Sequence, residues 1–342
     1  MSRMCSLADD SADARRWVVK LSSFKCSTSG KHFKWLLREL VPEAGERDTV
    51  MQFVRDEDRK RALLSRLLIR HCCRDVLGVE CVIARTEGRK PYAKDAPDSR
   101  RARNFNFNVS HEGDYVILAA EATALCGADV CSADHMARDG PPNRERLANL
   151  ADAFEKDEFA MVLGIEDARK RFDVFRVLWS CKEAVVKACG DGIARDLRTV
   201  TFRADDDAAN PPPPSEAMPG RPFMRGAVLF NGTEDPRWSV EVHVFDESHV
   251  ATVARGPAAA IIDNQGYFRA TMLAIQAGLG SDGLTEEWRA VLNAPRGDFA
   301  MLTVADLVPA DRQADYQKAI AKSPRGTKKK VQRPASPATV NE

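Results

Sequence analysis

FRVLWSCKEAVVKACGDG, residues 175–192, sets Trp179, Glu183 and Lys187 at intervals of four. With about 3.6 residues per helical turn these three side chains share one stripe, and Val174, Leu178, Cys181, Val185 and Ala188 form an apolar stripe roughly opposite. The spacing predicts a helix over about 173–189, stopped by Gly190 and Gly192, that buries one face and projects an acid and a base from the other. A carboxylate that can hold a hard cation or take a proton, beside an ammonium that can neutralise phosphate, suits an anionic, metal-bound substrate. Taken alone, the pair also reads as a surface i,i+4 ion pair worth a few tenths of a kcal/mol.

Working outward, a long amphipathic helix is expected from Glu46 to Leu77, where Leu63, Leu64, Leu67, Leu68 and Val76 keep helical spacing among arginines. After the loop EGRKP, the segment NFNFNVSHEGDYVILAA alternates Phe105, Phe107 and Val109 with Asn106, Asn108 and Ser110, breaks at 111–114, and continues apolar from Tyr115 to Ala120. This is a β-hairpin, followed by a third strand at CGADV. Asp152 and Glu155 stand in capping-box spacing before a helix at 152–163. Strand signals return at RTVTFR, AVLF, WSVEVHVF and HVATVAR, with a Pro-rich solvated loop after the first. Helices mixed with antiparallel strands indicate an α/β (α+β) fold whose core ends near Arg255, and the Lys, Arg, Pro and Ser content of the last 20 residues indicates disorder.

The chain has 342 residues, enough for two or three structural units, and 51 basic against 50 acidic side chains give no global attraction to nucleic acid or a membrane surface. Nine cysteines form no CxxC pair, so neither a zinc framework nor a disulfide scaffold is indicated. With an acidic N-terminal stretch and no long apolar run, the expectation is a soluble protein of the reducing cytosol.

Three further groups bear on chemistry. Asp129 in GADVC, on the same strand face as Cys131, is a plausible Mg²⁺ ligand, and Asp129 with Glu183 would meet the one or two protein carboxylates Mg²⁺ usually takes. The turn Asn108-Val109-Ser110-His111 offers an amide, a hydroxyl and an imidazole. The loop Arg85-Thr86-Glu87-Gly88-Arg89-Lys90 gathers three cations around a glycine that lets backbone approach a ligand. Each of these has a bland counterpart: a buried cap, a surface histidine, a solvated loop.

Their order is what makes them specific. A basic RTEGRKP loop, NFNVSHEGDYVILAA, GADV, and WSCKEAVVKACGDGI about fifty residues later closely resemble the two-domain 4'-phosphopantetheinyl transferase family, in particular its eukaryotic aminoadipate-semialdehyde dehydrogenase phosphopantetheinyl transferase type. The likeness covers roughly residues 17–255. It implies two similar α/β subdomains in a pseudo-twofold arrangement with coenzyme A in the cleft between them, at about 1–122 and 123–256, followed by an unexplained extension at 257–342. No internal duplication is visible in the sequence.

The resemblance implies transfer of the phosphopantetheine arm of coenzyme A to a serine of an apo acyl or peptidyl carrier protein by a monomeric, Mg²⁺-dependent holo-carrier synthase, releasing adenosine 3',5'-bisphosphate. By that likeness Asp129 and Glu183 hold the metal, Glu183 is the general base, and Lys187 meets the pyrophosphate. His111, with Asn108, Val109 and Ser110, contacts the adenosine side, and Arg47 joins the Arg85 to Lys90 loop as a phosphate clamp. Trp179 and Lys182 support the helix. The chain departs from many family members in having Cys131 where they carry a second acid, and a thiol is a poor ligand for Mg²⁺. Two other readings stay open: a coenzyme A-binding protein without catalysis, and a Mg²⁺-dependent nucleotide phosphohydrolase.

Overall fold

Helices and strands mix as expected, and among the described residues the strands build two large sheets, which meet along their β4 and β6 edges, and a two-stranded hairpin. A computed structural model describes residues 14–97, 105–133, 142–192, 195–204, 220–263, 266, 285–294 and 296–321. The Pro-rich stretch 205–219 and the last 20 residues lie outside the described residues. In chain order the elements are β1 (Arg15–Lys20), α1 (Lys31–Leu40), α2 (Ala44–Gln52), α3 (Asp56–Leu77), β2 (Ile83–Arg85), β3 (Pro91–Ala93), β4 (Asn106–Glu112), β5 (Tyr115–Glu121) and β6 (Leu125–Ser132). There follow α4 (Arg144–Ala148), α5 (Lys156–Gly164), α6 (Ala168–Cys189), β7 (Val200–Ala204), β8 (Pro222–Phe230), β9 (Thr233–Glu234), β10 (Ser239–Asp246), β11 (His249–Gly256), α7 (Glu286–Asn293), β12 (Ala300–Leu302) and α8 (Gln313–Ala321).

The N-terminal sheet has the order β12-β1-β5-β4, and the C-terminal sheet the order β6-β11-β10-β8-β7 with β9 on β8. The two open edges, β4 and β6, are joined by side chains. Asn106 Oδ1 accepts the Cys126 N–H at 2.9 Å, Asn108 Oδ1 the Ala128 N–H at 3.0 Å, Ser110 Oγ the Val130 N–H at 3.3 Å, and Glu112 Oε2 the Ser132 N–H at 2.8 Å. A strand sends alternate side chains to one side, so the polar half of NFNVSHE satisfies alternate amides of β6 in place of a backbone ladder. Phe105 and Phe107, on the other half, enter the core beneath α3 with Leu63, Leu64, Leu67 and Leu68.

The helix expected from Glu46 to Leu77 is two helices. The chain is extended at Phe53 and again at Arg55, and α3 restarts with Asp56, Glu57 and Asp58 in its first turn, where acids complement the helix dipole. Glu155, not Asp152, caps α5, accepting the N–H groups of Asp157 and Glu158.

Part of the stretch after residue 256 completes the N-terminal half. β12 lies parallel to β1, Leu307, Val308 and Tyr316 join its core, and the Tyr316 hydroxyl meets His32 at 3.2 Å. Arg296 reaches fully buried Glu121 at 3.0 Å, and Arg16 pairs with the same carboxylate.

Candidate functional site

α6 runs five residues further back than its spacing implied, from Ala168, because Asp167 accepts the Lys170 N–H at 2.7 Å and opens the helix there. Gly190 closes it in the left-handed region at φ 76°. Between residues 174 and 190 only Trp179, Glu183 and Lys187 are not buried. Val174, Leu178, Cys181, Val185 and Ala188 are all buried, as the opposite stripe required. Lys182, 1% exposed, donates to the carbonyls of Leu197 and Val200 and pairs with Glu158 at 2.7 Å, so it braces the helix.

β6 passes under the last turns of α6 at a separation only glycine permits. A Cβ on Gly127 would stand 2.0 Å from the Ala184 carbonyl oxygen and 2.3 Å from the Ala188 nitrogen. Two residues along, Asp129 faces Lys187. The ammonium donates to Asp129 Oδ1 at 2.5 Å and to Ser110 Oγ at 3.0 Å, and the Ser110 hydroxyl donates to the same Oδ1 at 3.2 Å. Lys187 therefore reaches across to β6 and β4 for its hydrogen bonds.

The basic loop is the turn of the β2–β3 hairpin. The Thr86 N–H bonds the Lys90 carbonyl at 3.0 Å, the Arg89 N–H the Thr86 carbonyl at 2.8 Å, and the Lys90 N–H the Thr86 hydroxyl at 3.2 Å. Gly88 lies against the end of α6 so closely that a Cβ would fall 1.3 Å from the Gly190 carbonyl oxygen. Lys90 is 2% exposed, and its ammonium donates to the carbonyls of Cys126 at 2.6 Å and Lys187 at 3.3 Å, binding loop, β6 and helix together.

These elements enclose a cavity of about 540 Å³ between the two halves, within the range of cofactor sites. Of the residues read from the sequence, Arg85, Gly88, Arg89, Lys90, Asn108, Val109, Glu183 and Lys187 line it, with Trp179 as an aromatic wall. Asp129 and Ser110 stand behind Lys187. Thr86 is buried in the hairpin turn and Glu87 is exposed on it. His111 lies beyond the lining residues, at a turn anchored by Arg61, which donates to the Gly113 carbonyl at 2.9 and 2.6 Å. The residue is open to solvent on one side, yet desolvation of the ring, followed by the charges of Arg61 and Lys187, pushes its pKa down to about 4. A neutral imidazole at pH 7 contributes hydrogen bonds rather than charge. Arg47 does not line the cavity: its guanidinium donates to the carbonyls of Val41 at 2.8 Å and Pro42 at 2.6 Å.

Sequence reasoning missed Pro91, Val186, Arg195 and Leu197 as lining residues, and took Gly190 and Gly192, which also line the cavity, only as the helix stop. Arg195 and Leu197 follow the helix in sequence and return to the cavity only because the chain turns at Gly190 and Gly192, both at positive φ. Periodicity carries no signal for that.

Burial and neighbouring charge act in opposite senses on Glu183 and Lys187. Burial raises the Glu183 pKa, Lys187 opposes the shift, and the nearby Asp129 carboxylate adds to it. Burial works against the Lys187 charge, but Asp129 and then Glu183 and Glu112 hold its pKa above the ordinary lysine value. Two carboxylates that repel one another across an ammonium form a donor set of hard oxygens, which fits a Mg²⁺ ion. Among the described residues no group of three or more His, Cys, Asp and Glu converges, and Mg²⁺ usually takes only one or two protein carboxylates. Cys131 packs with Val177, Cys181 and Val242, and burial, then Glu112 and Asp129, keep its thiol protonated.

Residues 27–123 match the family described as 4'-phosphopantetheinyl transferase, N-terminal, and residues 125–254 match the 4'-phosphopantetheinyl transferase superfamily. The L-aminoadipate-semialdehyde dehydrogenase-phosphopantetheinyl transferase of Pongo abelii is 31% identical over 251 residues, 71% of this chain and 75% of that protein. Its Mus musculus counterpart is 30% identical over 273 residues, 78% and 82% of the two chains. A 4'-phosphopantetheinyl transferase of Bacillus pumilus is 33% identical over 204 residues, 58% of this chain and 72% of its own.

Proposed function

Because the chain belongs to the 4'-phosphopantetheinyl transferase superfamily, we propose that its cavity binds coenzyme A and that the protein transfers the 4'-phosphopantetheine arm to a serine of an apo acyl or peptidyl carrier protein. The observation that carries the site assignment is the convergence of Glu183, Lys187 and the Arg85 to Lys90 loop on one cavity, with Asp129 behind.

In the reaction the carrier serine oxygen forms a bond to the phosphorus that bears the pantetheine arm. The bond between that phosphorus and the bridging oxygen breaks, and adenosine 3',5'-bisphosphate leaves. Glu183, whose affinity for a proton is raised by burial, takes the serine proton directly or through water. Lys187, kept charged by Asp129, neutralises charge on the transferring group. Asp129 and Glu183 would hold Mg²⁺, which supplies charge neutralisation at the pyrophosphate when bound. Arg85 and Arg89 add positive charge from the loop. Asn108 serves both cavity and scaffold, since its amide oxygen accepts the Ala128 N–H.

Incubation with coenzyme A, Mg²⁺ and a panel of apo carriers is expected to add one phosphopantetheine to a carrier, read by intact-mass spectrometry. Glu183→Gln and Asp129→Ala are expected to abolish that gain while far-ultraviolet circular dichroism stays unchanged. A folded wild-type protein that modifies no carrier in the panel would refute the proposal, and wild-type rates from either variant would refute the roles given to those residues. Adenosine 3',5'-bisphosphate released from coenzyme A without a carrier would point to a phosphohydrolase instead. The inactive-binder reading has no support: Asp129, Glu183 and Lys187 are all present and positioned together.

A further inference from the structure

Gly78 closes α3 in the left-handed region at φ 75°, and the chain doubles back along the last turns of the helix. Arg74 on α3 donates to Glu80 on the returning segment at 2.5 Å. One residue further out on each side, the buried thiols of Cys73 and Cys81 are in hydrogen-bonding contact. They stand too far apart in sequence to form a CxxC motif, so only the reversal at Gly78 brings them together. Cys81 also lines a cavity of about 570 Å³, bounded by the ends of α1 and α3 and by Pro309, Asp311 and Arg312. That cavity shares no lining residue with the one that Glu183 and Lys187 line.

Among the described cysteines Cys81 is set apart by its charge. Burial raises the thiol pKa of Cys26, Cys72, Cys126, Cys131, Cys181 and Cys189, and the hydrogen bond to Cys81 raises that of Cys73. At Cys81 the same hydrogen bond, donated by Cys73, lowers the pKa against burial, and the neighbouring Arg70 guanidinium acts in the same sense. The thiolate is the attacking form of cysteine, so Cys81 is the nucleophile and Cys73, protonated beside it, the resolving thiol. We propose that Cys73 and Cys81 are a redox-modification site that hydrogen peroxide converts to a disulfide. The Cys81 thiolate attacks one peroxide oxygen, the O–O bond breaks, and the departing hydroxide is protonated to water, leaving Cys81 as a sulfenic acid. The Cys73 sulfur then displaces the sulfenic oxygen: the S–S bond forms, the S–O bond breaks, and that oxygen leaves as a second water with the Cys73 proton. The thiol pair is oxidised by two electrons and the peroxide is reduced by the same two. The proposal is independent of the function assigned to the other cavity.

The test treats reduced, desalted full-length protein with hydrogen peroxide, then unfolds it in alkylating reagent and digests it with trypsin. Cleavage after Arg70, Arg74 and Arg85 separates Cys73 from Cys81. The expected product, read by mass spectrometry, is a dithiothreitol-sensitive cross-link between peptides 71–74 and 75–85. Cys72 shares the first peptide, so Cys72→Ser is expected to keep the cross-link, whereas Cys73→Ser and Cys81→Ser lose it. Fragmentation of the wild-type cross-linked peptide gives the same assignment without any variant. Cys73→Ser is further expected to leave Cys81 as a sulfenic acid that dimedone captures. Conversion of the exposed Met161 and Met301 to sulfoxide shows that the peroxide dose is sufficient. A folded wild-type protein in which Cys73 and Cys81 both stay alkylatable at that dose overturns the proposal, and so does a cross-link that runs through Cys72 or joins two chains.

Discussion

Gly127→Ala puts the fit between β6 and α6 to a direct test. The added methyl carbon would stand 2.0 Å from the Ala184 carbonyl oxygen, 2.3 Å from the Ala188 nitrogen and 2.8 Å from the Ala188 Cα, where contacts below 3.0 Å essentially never occur. All three obstacles are backbone of one helix, so no rotamer change relieves them. Relief needs a separation of at least 1.0 Å, the difference between 3.0 and 2.0 Å, between the strand that carries Asp129 and the helix that carries Glu183 and Lys187. Overpacking of this kind costs about 1 to 3 kcal/mol in stability. A displacement of about 1 Å between groups that must act together costs on the order of 10²-fold in rate. Urea unfolding is expected to show the stability loss, and single-turnover transfer, at temperatures where the variant is fully folded, the larger loss in rate. A variant with wild-type unfolding midpoint and wild-type rate would refute the claim that glycine sets this distance.

Asn108→Ala removes the acceptor of the buried Ala128 N–H at the joint between the sheets and is expected to cost about 1 to 3 kcal/mol in urea unfolding, with no loss if β4 and β6 are not held by side chains. Arg296→Ala strips one of two arginines from fully buried Glu121 and is expected to cost about 3 kcal/mol, so an unchanged midpoint would show that residues after 256 do not support the N-terminal half. At Asp246, burial opposes the charge, but hydrogen bonds from His249, the Ser248 N–H and Tyr115 lower its pKa from 3.8 to about 2. A depressed folded pKa gives stability that is present above 3.8 and lost as the pH falls through about 2. Asp246→Asn should therefore flatten the stability profile between those values, and an unaltered slope would contradict the assignment.

The sequence carried what depends on local periodicity. The open stripe of α6, the β4–β5 hairpin, the strand around Asp129 and the four late strands are all where hydrophobic spacing put them, because each carries enough apolar residues to be buried wherever the chain places it. What escaped depends on partners far along the chain. The polar residues of NFNVSHE read as a ligand-binding turn, but most of their oxygens are committed to amides twenty residues away in β6. Arg47 has the charge of a phosphate clamp, yet its nearest acceptors are carbonyls at the end of α1. The return of β12 to β1 and of Arg195 to the cavity leaves no trace in spacing, since both follow from how the chain turns back after its main core is built.

The joint between the halves also explains why the site sits where it does. Two sheet edges held by backbone ladders would bring strands about 4.8 Å apart and leave no polar groups over. Side chains in place of that ladder keep spare capacity at the seam: the Ser110 hydroxyl accepts from Val130 and from Lys187 and still donates to Asp129. Lys187 is thus tied at once to the N-terminal half through Ser110 and to the C-terminal half through Asp129. One carboxylate and one hydroxyl thus hold Lys187 between the two halves, so the position of its ammonium depends on both halves being in register.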